Sequence, residues 1–474
     1  MVFSSQIFLF LFLPAALLGY FIFRRELQNL YLVLISLFFY AWAGPKLLVV
    51  LLGYIAFNYL FGLLLSIINE DRFRLRRLVV VIAVMTNLGF LGYYKYLNFL
   101  TGTINAIGLT NLPLQEIALP LGISFFTFSG ISYILDINLG KIEAERNPID
   151  FALYMSFFPK LIQGPISRFA TLGSQIKRRD VTVDKFAAGI YRFVIGLSKK
   201  VIIADQLGPM VDQIFATPAL SNSLPIAWLG AIGYTFQLYF DFAGYTDMAI
   251  GLGKMFGFEI EENFNYPYIS TSIGEFWRRW HMTLSSWFRD YVFYPLEFKR
   301  RKVKSLRIET NTLIVFFLTG LWHGASWNFV FWGLLHGIAI AIESFTKSKK
   351  LELHLPVYVR WLITMLVLII GWVLFRAPNL SYAWQYLSIM FGLAKSINTG
   401  ISLAWYLNAK IAVLLVIATI ACIPWKTVFH TFTSKYEGTN VQTVSQLFGF
   451  VILMLISIIY VITSSYSSFI YFKF

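Results

Sequence analysis

The chain has 474 residues, of which 58% are hydrophobic, 18% aromatic and only 13% charged; an ordinary soluble domain carries about 25% charged residues. With a mean hydropathy of +0.67, this excludes a soluble globular domain and points to an integral membrane protein. The net charge of +15 does not imply nucleic acid, because the cations sit in short loops between apolar blocks, as the positive-inside rule requires of cytosolic loops.

The apolar blocks approach the ~20 residues that cross a bilayer as a helix. The first, Gln6–Phe23, has no basic residues before it and Arg24 and Arg25 after it. That is the reverse of a cleavable signal peptide, so it reads as a first membrane helix. Threading then places Arg24 and Arg25 inside, a tight outer turn near Gly44–Pro45, and "RFRLRR" at 72–77 inside again. Leu30–Ala43, Leu47–Ile68, Leu78–Tyr94 and Ile117–Ile137 follow, the last opening on the helix-breaking "LPLG". "FPKLIQGPISRF" then sets Lys160, Gln163 and Arg168 around Gly164–Pro165, and the run Ile226–Phe256 carries Asp241 and Asp247. Broken backbone and charge at membrane depth are tolerated against protein or a water-filled cavity. Gly164–Pro165 could equally lie at the interface.

After Tyr191–Leu207, the later blocks are Asn311–Leu321, Phe329–Ile342, Trp361–Phe375, Ile401–Ile423 and Val444–Ile462. Short alternating segments of the kind that build a membrane β-barrel are not visible. The expectation is an all-α membrane protein, a bundle of roughly eleven crossings with re-entrant and interfacial helices around a central funnel. No linker, low-complexity tract or repeat divides the chain, so 1–474 reads as one membrane domain. The one cysteine, Cys422, allows neither an internal disulfide nor a cysteine zinc cluster.

The chain has five histidines. His354 and His430 fall in polar connectors and read as solvated. In "EFWRRWHMTLSSWFRDYVFYPL", Trp277, His281, Leu284 and Phe288 follow helical steps, which predicts an amphipathic surface helix with His281 on its inward face. A core histidine bonded to a carbonyl would give the same pattern. In "GLWHGASW", His323 closes an apolar run. Gly324 lets another group approach the backbone, and Ser326 or Asn328 is placed to cap the next helix. A histidine at that depth needs a partner or a wet cavity. His336 lies 336 − 323 = 13 residues on. On one continuous helix it would sit on a different face from His323, and it reads as packing.

No G-x-S-x-G elbow, H-E-x-x-H, P-loop or strand-borne G-x-G-x-x-G occurs. Isolated histidines without acidic partners at ligand spacing give no metal site.

"FWRRWHMTLSSWFRDYVFYPL" and "GLWHGASWNFVFWGLLHG", with 323 − 281 = 42 residues between their histidines, resemble the membrane-bound O-acyltransferase family. "PKLIQGPISRF", "LPLGISFFTF", "YFDFAGYTDMAIG" and the terminal "FIYFKF" resemble its bacterial branch that acetylates exported polysaccharides. The likeness runs from "MVFSSQIFLFLFLP" to the last residue. It implies funnels opening to the two faces, His323 as the family's invariant catalytic histidine and His281 as the second catalytic position. His281 would orient the donor or stabilise the developing oxyanion. It implies acetyl-CoA as donor, with no bound cofactor and no metal. An acyl carrier protein is an alternative source. The implied partners are membrane lipid and an extracytoplasmic SGNH-type acetyltransferase, in a bacterial cytoplasmic membrane. Arg278, Arg279 and the Lys299–Arg307 loop would attract CoA phosphates, or they simply obey the topology rule. D-alanyl transfer to teichoic acid shares both histidine motifs. A transporter or flippase would instead rely on Asp241 or Asp247, and a docking platform for a secreted acetyltransferase is a third option.

Overall fold

The structure, a computed structural model, describes residues 1–42, 44–303, 305–351, 354–397, 400–428, 439–464 and 466. His430 and the terminal "FIYFKF" lie outside the described residues. Among the described residues helices dominate and no strand occurs. Among the described residues five helices are long and apolar enough to cross a membrane: Pro45–Ile67, Phe73–Ala106, Trp327–Ser348, Val357–Arg376 and Gln442–Thr463. Phe8–Ile22 and Ala409–Ala421 are apolar but shorter. The all-helical membrane character expected from composition is therefore present, with five such helices set against an expectation of roughly eleven crossings.

The chain divides into two compact units, Met1–Phe193 with Tyr245–Glu262, and Val194–Gly244 with Asn263–Phe474. In the first unit, α1 (Pro45–Ile67) opens on a proline, whose missing N–H costs nothing at that position. It lies beside α2 (Phe73–Ala106). Polar side chains within these apolar helices satisfy each other: Asn87 Nδ2 donates to Asn58 Oδ1 at 3.1 Å, and the Tyr54 hydroxyl donates to Asn87 Oδ1. Such bonds between helices hold membrane bundles together. The "LPLG" break is a tight turn into α3 (Ile123–Asn138). Gly122 has φ +71°, and a Cβ there would run into the Leu161 carbonyl, so glycine is required twice over.

The "FPKLIQGPISRF" segment is buried against protein, with Arg168 half-buried. Lys160 sits 4.3 Å over the Tyr154 ring, and Ser167 Oγ donates to Glu261 Oε2 at 2.5 Å. Asp247 pairs with Arg192 at 2.7 Å, and Arg192 also reaches Glu262 at 2.5 Å.

The helix α4 (Leu224–Met255) gives its N-terminal part to the second unit and its C-terminal part to the first. In the second unit Asp241 pairs with Lys200 at 2.7 Å, and Lys200 also holds Asp205 at 2.6 Å. All three are at least 95% buried. Lys200 lies in a π-helical turn, Lys199–Ala204. Two short helices follow, α5 (Ile273–Trp277) and α6 (Met282–Phe288). Then come α7 (Arg307–His323), α8 (Trp327–Ser348) and α9 (Val357–Arg376). The pair α7–α8 packs backbone against backbone. A Cβ at Gly320 would strike the Phe329 carbonyl, and one at Gly333 would strike that of Phe316. Small residues at such seams let membrane helices approach closely. Around them lies the unit's aromatic core, which includes Phe242, Trp277, Trp280, Trp332, Trp372 and Phe375.

Candidate active site

The stretch leading to His281 is built from its N-terminal end. Ser272 caps α5: its Oγ accepts the Glu275 N–H at 3.0 Å, and the Glu275 carboxylate accepts the Thr271 N–H at 3.0 Å. The spacing is that of an S-x-x-E capping box, with the return bond of Glu275 made one residue earlier, at Thr271. Burial pushes the Glu275 carboxyl up, but the Thr271 N–H and Arg279 outweigh it and hold the group below its ordinary range. A second carboxylate, Glu343 from α8, takes the N–H groups of Ile273 and Gly274 at 2.6 and 2.9 Å. Together they satisfy donors that a helix start leaves open.

The helix then stops. The expected continuous amphipathic helix, with Trp277, His281, Leu284 and Phe288 on one face, does not form. His281 adopts φ +43°, ψ 52°, the left-handed region, between α5 and α6. Backbone bonds to an extended stretch upstream outcompete the helical ones: Asn265 N–H to Arg279 O at 2.9 Å, and Met282 N–H to Asn263 O at 3.0 Å. The four residues are nonetheless all buried. The apolar pattern thus reported burial correctly, while the helical period was interrupted by tertiary pairing.

His281 is fully buried. Its Nδ1 lies 3.1 Å from Asn263 Oδ1, which also receives the Thr283 N–H at 3.2 Å and the Thr283 hydroxyl at 2.9 Å. Phe242 stands edge-on at 4.8 Å and Trp322 at 5.7 Å between ring centres. Burial pulls the His281 imidazole down to about 3, so it is neutral at physiological pH.

His323 is the last residue of α7, at a helix end as expected. Gly324 continues in extended conformation, and the Phe329 ring occupies the space its Cβ would need. The close approach that glycine permits therefore comes from the protein's own side chain. Ser326 holds the N-cap position of α8 but makes no capping bond. Asn328 instead donates to the Ala377 carbonyl at 2.6 Å, tying the start of α8 to the end of α9. The His323 ring is 95% buried, with Trp322, Trp332 and Phe375 at 4.9, 4.8 and 5.3 Å. The rings of His281 and His323 come to 6.4 Å of each other.

His336 joins the same aromatic group as a packing residue, as expected. It is fully buried, and Trp277 Nε1 donates to its Nδ1 at 3.4 Å. Among the described residues, Nε2 of His336 and the indole nitrogens of Trp332 and Trp372 have no hydrogen-bond partner. Buried polar atoms of this kind are places for a water or a ligand atom. His354 is exposed, as expected of a connector.

Three of the expected phosphate-attracting cations are engaged locally. Arg279 pairs with Glu275 at 3.0 Å, Arg307 with Glu297 at 2.8 Å, and Arg300 donates to Asn311 at 2.6 Å. Arg278 is exposed. A cleft of about 470 Å³ lined by Arg301, Leu306, Arg307, Phe345 and Lys349 opens beside that loop. The residue that sequence reasoning missed is Asn263, 281 − 263 = 18 positions before His281. It lies in an aperiodic segment, and only the fold brings it to the imidazole.

Residues 143–384 match the family described as MBOAT, membrane-bound O-acyltransferase family. The chain is 45% identical to the "probable alginate O-acetylase AlgI" of Pseudomonas aeruginosa, over 82% of this chain and 75% of that protein. It is 38% identical to the peptidoglycan O-acetyltransferase of Helicobacter pylori, over 83% of this chain and 80% of the relative. The teichoic acid D-alanyltransferase of Bacillus subtilis is 35% identical over a shorter stretch, 48% of this chain and 59% of its own length.

Proposed function

The chain belongs to the membrane-bound O-acyltransferase family, and from that premise we propose that it moves an acetyl group from cytosolic acetyl-CoA to a hydroxyl on the outer side of a bacterial cytoplasmic membrane. The end product is an O-acetylated exported polysaccharide. The membrane enzyme delivers the acetyl group to an extracytoplasmic SGNH-type acetyltransferase, which completes the transfer. Two funnels, one from each face, meet at the histidines, so the bulk of the donor stays in the cytosol.

In this reading His323 is the general base. Its neutral imidazole takes the proton of the acceptor hydroxyl as the oxygen attacks the thioester carbonyl. The tetrahedral oxyanion then collapses, the carbon–sulfur bond breaks, and the imidazolium returns its proton to the leaving thiolate. General-base assistance contributes about 10²–10⁴-fold. The observation that carries the reading is the approach of His323 to His281, 6.4 Å between ring centres, within a buried aromatic wall. The names of the P. aeruginosa and H. pylori relatives support acetyl transfer to a glycan.

In cells, His323→Ala is expected to reduce O-acetylation of the exported polysaccharide to background, with the protein still in the membrane. Unchanged O-acetylation overturns the reading. Likeness to the D-alanyltransferase supports a second donor, a D-alanyl carrier protein. Purified enzyme in proteoliposomes, offered each labelled donor in turn, separates the two. The transporter reading relies on Asp241 or Asp247, and each of these carboxylates is engaged by a cation, Lys200 and Arg192 respectively.

A further inference from the structure

We propose that Asn263 is a positioning residue that fixes His281 as the neutral tautomer with its proton on Nδ1, so that Nε2 presents a lone pair to a hydrogen-bond donor group of a substrate. This rests on the acyltransferase reading above and changes the part His281 plays in it.

The argument starts from a backbone amide, whose role is not adjustable. The Thr283 N–H can only donate, and it points at one atom of the Asn263 side-chain amide at 3.2 Å. That atom is therefore the oxygen, which settles the amide orientation that coordinates alone leave open. The oxygen can only accept. His281 Nδ1 lies 3.1 Å from it, so Nδ1 carries the proton. The imidazole is neutral, because its complete burial disfavours the charged form. A neutral imidazole has one proton, so Nε2 has none.

The segment is held in place for this. His281 is in the left-handed region, an outlier whose conformation the two flanking backbone bonds maintain. The titratable ring facing His281 is His323 at 6.4 Å. On the helix that supplies Phe242, the neighbouring Asp241 is engaged by Lys200. The consequence is chemical. His281 in its resting form cannot donate to a developing oxyanion, the role the resemblance allowed it. It accepts an N–H or O–H. The pantetheine arm of a CoA donor offers amide N–H groups and the acceptor offers a hydroxyl. The shared chemistry is a hydrogen-bond donor, and kinetics tell the two apart.

The test uses the full-length protein, ¹⁵N-labelled at histidine, in lipid bilayers, with the His281 signal identified by its loss in His281→Asn. Imidazole ¹⁵N spectra at neutral pH are expected to show a protonated Nδ1 and a bare Nε2. Asn263→Leu is expected to release the tautomer and to raise KM roughly tenfold, the effect of one lost hydrogen bond. A rise for acetyl-CoA assigns the contact to the donor, and a rise for the hydroxyl substrate assigns it to the acceptor. Asn263→Asp keeps an acceptor at Nδ1, so it restores the tautomer. It adds a charge that raises the His281 pKa, moving the acid limb of the pH–rate profile to higher pH. A wild-type spectrum with the proton on Nε2 overturns the proposal without any variant, as does Asn263→Leu with tautomer and KM both unchanged. If wild type shows the expected tautomer yet transfers no acyl group from either donor, acetyl-CoA or the D-alanyl carrier protein, the acyltransferase reading falls and the tautomer assignment stands.

Discussion

His281 carries two constraints, one in its backbone and one in its ring. The left-handed conformation costs an L-residue with a Cβ roughly 1–2 kcal/mol, least for residues such as Asn whose short polar side chain bonds locally. His281→Asn is therefore expected to keep a higher thermal midpoint than His281→Val in detergent, although both lose the imidazole and its function. The ring supplies a pH signature. Its folded-state pKa is depressed by burial to about 3, below the ordinary value of about 6.5. As pH falls below about 6.5 the unfolded chain binds a proton that the folded chain refuses. The stability present above that pH is lost progressively down to about 3, at up to about 1.4 kcal/mol per pH unit. Thermal midpoints followed from pH 7 to 4 should show this slope in wild type and a shallower one in His281→Asn. Both site histidines were legible in the sequence, because an imidazole inside an apolar run is conspicuous. Asn263 was not, since asparagine in a polar loop is ordinary and its contact spans eighteen positions.

At the scale of elements, the end of α7 and the start of α8 were readable from glycine and serine. The break between α5 and α6 was not, because the apolar residues of that stretch keep helical spacing while backbone bonds to residues 263–265 interrupt the helix. Tertiary pairing of this kind leaves no mark in local periodicity. The clamp of Glu343 on the start of α5 was likewise invisible, as it links positions seventy residues apart. Glu343→Ala leaves two N–H groups without their acceptor. It should lower stability by about 1–3 kcal/mol and cut acetyl transfer, measured as thermal midpoint and as initial rate in proteoliposomes. Gly333→Leu should be more damaging. It forces apart a seam where the Phe316 carbonyl leaves no room for a Cβ, and folded protein recovered after detergent extraction should fall sharply.

For the molecule as a whole, composition was decisive about the membrane and less so about how many helices cross it. Block length in a sequence counts apolar residues, whereas crossing requires a long uninterrupted helix. Several blocks form helices that are too short: Phe8–Ile22 and Ala409–Ala421 are apolar but brief, and α7 has 17 residues, the first of them charged. The buried charges that made a transport path conceivable neutralise each other inside each unit. Lys200→Ala, which strands Asp205 and Asp241, should destabilise the protein by about 3–5 kcal/mol. Asp241→Asn, which leaves Lys200 with Asp205, should retain acetyl transfer per folded molecule. A transport defect in Asp241→Asn with acetyl transfer untouched would count against an enzyme acting alone.

Of the thirteen tryptophans, Trp277, Trp322 and Trp332 have ring centres within 6 Å of a buried histidine. An imidazolium quenches the emission of an adjacent indole far more than a neutral imidazole does. The chain thus contains its own optical gauge: stopped-flow fluorescence, with no dye attached, can time the arrival and departure of a proton at the reacting centre during a single turnover.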